Sequence, residues 1–179
     1  EMMGEYFTEE TMVGAAASWT PDAARLVDGD TAGVLIDAML NQLVAGDPDN
    51  KGSVIPPEVQ AAIAGNLNPD DVRGGEISSE DMTDIVKTFD GNDISENYNS
   101  EGAGAVIDTV EIDQVPDEVR IELIEKLGES SEESQRVDSD KLTEAIVGAS
   151  PSSIGDMPQE TVGNLASGLE ADQVADMPE

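Results

Sequence analysis

The residues best spaced for chemistry run from Asp47 to Glu58. Counting Asp47 as the first of twelve, carboxylates stand first, third and twelfth (Asp47, Asp49, Glu58), glycine sixth (Gly52), a hydroxyl seventh (Ser53) and an aliphatic side chain eighth (Val54). A hard cation such as Ca2+ needs a ring of oxygens, and glycine permits the sharp turn that closes such a ring. The candidate metal ligands are therefore Asp47, Asp49, Ser53 and Glu58. Two features oppose the site. Lys51 stands fifth, where an oxygen ligand is expected, and Pro56 and Pro57 stiffen the segment that would swing Glu58 inward. The alternative reading is that these acids cap helices.

The segment resembles an EF-hand loop between two helices, and that resemblance implies calcium binding. Fainter echoes occur at Asp28-Gly29-Asp30-Thr31-Ala32-Gly33, at Gly75 to Asp81 and at Asp90 to Glu96. The first lacks a fifth ligand and a closing glutamate, the second matches only the latter half, and the third is too short.

Other chemistry is narrowed by what the chain lacks. It contains no histidine and no cysteine, so no imidazole base, thiol nucleophile, Ser-His-Asp triad or Cys/His zinc site can be assembled. No phosphate-cradling Gly-rich loop ending in Lys-Ser/Thr is present. Ser139 with Lys141 as its base is conceivable, but nothing nearby supplies an oxyanion hole. The charge is 40 Asp+Glu against 8 Lys+Arg, net −32, and it argues against phosphate-neutralising contact with nucleic acid. No apolar run approaches the ~20 residues of a spanning helix, so direct membrane insertion is not expected. The chain reads as non-enzymatic, with no organic cofactor.

An acidic chain with 3% aromatic residues can be disordered. The apolar residues, 38% of the total, oppose that, because they fall at helical spacing. Met82, Ile85, Val86 and Phe89 make one face of a three-turn helix; Val59, Ala62, Ile63 and Leu67 make another. Leu142, Ala145, Ile146 and Ala149 repeat the stripe, as do Val162, Leu165, Ala166 and Leu169, and Val119, Leu123 and Leu127. The stretch from Thr31 to Ala45 is apolar over a wider arc, as in a more buried helix. Only Val110 to Val115 has the alternation of a short strand.

Helix starts recur with one grammar, an apolar residue, then Pro, Ser, Thr or Asn, then one or two acids. Copies stand at Trp19-Thr20-Pro21-Asp22, Ile55-Pro56-Pro57-Glu58, Leu67-Asn68-Pro69-Asp70, Ile77-Ser78-Ser79-Glu80, Val115-Pro116-Asp117-Glu118 and Met157-Pro158-Gln159-Glu160. Hydroxyl and amide side chains cap free amides, proline suits the first turn, and acids there complement the helix dipole. The spacing predicts an all-α protein, an array of short stacked helices, solenoid-like or an irregular bundle. It is expected to form a single array over 1–179, a fragment of a longer chain, with a mobile Gly/Asn-rich loop near 91–104.

Scarce lysine and abundant Asp, Glu, Ala, Gly, Val and Ser resemble the proteins of extreme halophiles, archaeal or viral. The cadence of Ile55 to Leu67, Val115 to Leu127 and Met157 to Leu169 is similar to the short-helix superhelical repeats of MgtE-type magnesium transporters and of the flagellar motor switch protein FliG. These resemblances imply a structural or interaction module at high salt, acting on protein partners or copies of itself, for example as a virion component of a tail or capsid. A calcium-binding module is the alternative.

Overall fold

The computed structural model describes residues 9–45, 55–75, 77–170 and 173. Among the described residues there are thirteen α-helices, one 3-10 turn and no strand, so the protein is all-α. The helices divide between two compact units, Glu1–Asn68 and Pro69–Glu179.

The first unit holds α1 (Glu9–Ala16), α2 (Pro21–Ala24), α3 (Gly29–Ala45) and α4 (Pro57–Ala64). Helix α3 packs against α1 and α4, and α2 packs against α4. Leu35, Ala38 and Met39 of α3 and Val59 and Ile63 of α4 are buried, as the stripes predict, and Ile36 is buried with them. Asn66 closes the unit by donating from Nδ2 to the carbonyls of Ala24 and Ala62, at 3.0 and 3.1 Å.

The second unit holds α5 (Pro69–Gly74), α6 (Ser79–Val86), α7 (Gly91–Asn97), α8 (Ser100–Thr109), the 3-10 turn Ile112–Gln114, α9 (Asp117–Leu127), α10 (Ser131–Arg136), α11 (Ser139–Gly148), α12 (Pro151–Asp156) and α13 (Gln159–Ala166). Its organising element is α8, which packs against α5, α6, α9, α10 and α11. These partners lie up to three helices away along the chain on either side of α8. A helix surrounded on so many sides must be slim, and α8 is: Ala103, Gly104 and Ala105 are buried beside Val106 and Ile107. A β-carbon on Gly104 would stand 3.1 Å from Arg73 Nη2 and from Val137 Cγ2, and 3.3 Å from Leu127 Cδ1, so three elements close in on the bare backbone.

The loop expected near 91–104 is therefore helical, as α7 and α8. The Asp, Asn and Gly residues that suggested a loop serve as caps and contact points. Asp90 and Asp93 form a reciprocal capping box at the start of α7, and Asn99 Oδ1 accepts the Gly102 amide at 2.8 Å. The alternation from Val110 to Val115 makes the 3-10 turn, with Val110, Ile112 and Val115 all buried.

Candidate functional site

Of the proposed calcium ligands, Asp47, Asp49 and Ser53 lie outside the described residues. Glu58 is exposed in the first turn of α4. Among the described residues no group of three or more acids is placed to hold a metal ion. The fainter echoes are helix caps. Asp28 Oδ1 accepts the Thr31 amide at 2.9 Å, and that bond holds its carboxyl below the usual value; Asp90 belongs to the capping box. Lys141 is turned to the Val110 carbonyl, 3.1 Å from its Nζ.

Among the described residues a polar network lies in the second unit, around an open cleft of about 620 Å³ lined by Arg73, Asp108, Thr109, Arg136, Asp138, Asp140, Lys141 and Glu144. Three of the chain's eight cations gather here. Each is brought by a helix end or start. Arg73 and Arg136 sit in the last turns of α5 and α10, where a cation also favours the helix dipole, and Lys141 sits in the first turn of α11.

Asp108, on α8, is the junction. Its Oδ2 accepts from Arg73 Nε at 3.0 Å and its Oδ1 from the Asp138 amide at 2.8 Å, so one carboxylate joins α5, α8 and the cap of α11. Asp138 then caps α11, its Oδ1 accepting the amides of Asp140 and Lys141 at 3.0 and 3.2 Å. Glu133 of α10 lies between the two arginines, 3.7 Å from Arg73 Nη2 and 3.1 Å from Arg136 Nη1. Arg136 reaches on to Glu101 at 3.4 Å and Asp70 at 3.5 Å. The Glu133 hydrogen bond, and then the surrounding acids, raise the Arg136 pKa above its ordinary value, so this guanidinium stays charged.

A second buried cation, Arg120 of α9, is 8% exposed; its Nη2 donates to the Val115 carbonyl at 3.2 Å and to Asp117 at 2.7 Å. Lys87 ties α6 to the 3-10 turn through the Gln114 side chain at 2.8 Å. Arg73 and Arg136 each face carboxylates from two other helices, and Lys87 and Lys141 each reach a residue more than 25 positions away.

Sequence reasoning did not single out Arg73 or Arg136. A signal was present in their rarity and in the acid three residues before each, Asp70 and Glu133. Their long-range partners carried no such signal. Comparisons of the chain with protein families, with curated proteins and with solved structures each find no match. No described helix is long and apolar enough to cross a membrane.

Proposed function

We propose that the chain is a non-enzymatic structural and interaction module working at molar salt, in a halophile or one of its viruses. It acts as one part of a larger assembly, such as a virion tail or capsid-associated component, docked to protein partners or to copies of itself. The observation that supports this reading best is the segregation of charge. Acids occupy first turns and open surface: the side chains of Asp22, Asp70 and Asp117 are 90, 75 and 81% exposed. The arginines Arg73 and Arg120 are drawn inward as ties, with side chains 18 and 9% exposed. A surface of net charge −32 repels itself over about 10 Å at 0.1 M salt and over only about 3 Å at 1 M. The fold is thus best matched to a medium that screens its exterior and leaves its interior ties intact.

A second reading, a calcium-binding module, is supported by the spacing of Asp47, Asp49, Ser53 and Glu58, with Glu58 at the start of α4 as a closing ligand requires. One experiment weighs both: thermal unfolding followed by circular dichroism in KCl from 0.1 to 3 M, with Ca2+ or with a chelator. The high-salt reading predicts a midpoint that climbs with KCl and ignores Ca2+. A midpoint indifferent to KCl contradicts it. A Ca2+-dependent rise that Asp47→Ala abolishes transfers support to the second reading.

A further inference from the structure

The ion network around Asp108 is graded in burial. Its inner members are Arg73, Asp108 and Glu133, whose side chains are 18, 15 and 13% exposed. The outer members are Arg136, Glu101 and Asp70, at 43, 45 and 75%. Glu133 belongs to both halves, because both arginines face it. Two guanidiniums thus gather four carboxylates from α5, α8 and α10, which leaves the network with excess negative charge. The inner half is also more demanding of its geometry. Nη1 and Nη2 of Arg73 are buried without hydrogen bonds, so Nε to Asp108 and the Coulomb attraction of Glu133 are what hold the guanidinium in place.

Salt does not act on the two halves alike. Ion pairs open to solvent are screened as ionic strength rises, while partly buried pairs are screened much less. Added salt also relieves the repulsion among the gathered carboxylates and across the whole acidic surface.

We propose that this network is a salt-graded clamp on the second unit. Arg73, Asp108 and Glu133 fix the packing of α5, α8 and α10 whenever the unit is folded, with a contribution that ionic strength changes little. Arg136, with Glu101 and Asp70, adds a clasp that matters when salt is low and becomes redundant when salt is high. The outer clasp sets the lowest salt concentration at which the unit remains folded, and the inner half sets how the helices fit together once it is. The inference rests on the high-salt reading for the conditions under which the clamp works; the packing and burial that define it do not depend on that reading.

The test compares Arg136→Gln and Arg73→Gln by equilibrium urea unfolding of the full chain at 0.1, 0.5, 1 and 3 M KCl. Each substitution removes one positive charge, so the change in overall repulsion is the same for both and cancels in the comparison. Arg136→Gln is expected to raise the unfolding constant by about 2- to 5-fold at 0.1 M KCl, the range of an exposed pair, and to match the wild type at 3 M. Arg73→Gln is expected to raise it at least about 10-fold at every salt concentration, as loss of a charged hydrogen bond from a largely buried partner requires. If Arg73→Gln does not fold, Asp108→Asn, which retains an acceptor for the Asp138 amide, must show the same salt-independent loss. Equal salt slopes for the inner and outer variants overturn the clamp. A wild type without salt dependence overturns the high-salt reading instead, and the difference between variants still decides the clamp.

Discussion

Two glycines, Gly163 within α13 and Gly168 just after it, provide a sharp test of the packing, because the same substitution should have opposite effects at each. Gly168 follows α13 where it meets α10. A β-carbon there would fall 2.1 Å from the Ser134 carbonyl oxygen, 2.7 Å from the Ser134 carbonyl carbon and 2.9 Å from Leu142 Cδ2. Two of those atoms are backbone of a buried residue and cannot swing aside as a side-chain tip could. The Gly168 backbone is not in the left-handed region, so alanine carries no conformational penalty of its own. The whole cost of Gly168→Ala therefore comes from contact. Reaching an ordinary separation of about 3.4 Å requires α13 to retreat by more than 1 Å, and overpacking of that kind costs about 1–3 kcal/mol. Undocking α13 altogether is the alternative. That exposes Leu165, now 1% accessible, at a cost of about 1.5–3 kcal/mol, and releases the Asn164 hydrogen bond to the Gly128 carbonyl at 2.9 Å. Either route predicts a loss of about 1–3 kcal/mol. Gly163, within α13, has open space where its β-carbon would be, so Gly163→Ala should gain up to about 1 kcal/mol from helix propensity. Urea unfolding in 3 M KCl measures both, and proteolysis across residues 159–170 reports whether α13 has undocked. An unchanged midpoint for Gly168→Ala, or losses of equal size at both sites, would refute the packing of α13 on α10.

Two further outcomes follow from the same geometry. Asn99→Ala removes the cap that accepts the Gly102 amide at the start of the hub helix and should cost about 1 kcal/mol in a urea titration, while Asn99→Asp should restore it. Burial, and then the charge of Glu125, raise the Glu122 carboxyl above its ordinary value, so the folded state binds this proton more tightly than the unfolded state. The ionised group opposes folding at neutral pH, and stability is regained as pH falls through the raised pKa. Glu122→Gln should accordingly be more stable than the parent at pH 7, with the difference shrinking as acid protonates the parent carboxyl; a constant difference across the titration would count against the assignment.

Much of the helical layout could be read from residue types alone. Pro21, Pro57, Pro69, Ser79, Asp117 and Gln159 begin helices where the apolar-cap-acid grammar puts them, because capping and proline geometry are local effects. Met82, Ile85, Val86 and Phe89 are all buried, as their spacing requires. The errors arose where a local signal admits two outcomes. Asn99 and Gly102 suit a loop as well as a cap, and only the crowding around α8 shows why Gly104 is needed. Val34 belongs to the stripe of α3 yet is 48% exposed, since a wide apolar arc exceeds what two neighbouring helices can cover. The polar junction was hidden for a different reason. Asp108 meets Arg73 across 35 residues and Arg136 meets Asp70 across 66, and no periodicity encodes contacts of that range.

Hydrogen exchange in 3 M KCl, repeated after dilution to 0.1 M, measures most directly whether the acidic exterior is an adaptation to salt around an α-helical core. The account predicts that amides of Ala103 to Ile107 in α8 and of Leu123 and Ile124 in α9, all fully buried, exchange slowest at 3 M and lose protection together at 0.1 M. Rapid exchange throughout at 3 M, or protection that survives dilution undiminished, would contradict it.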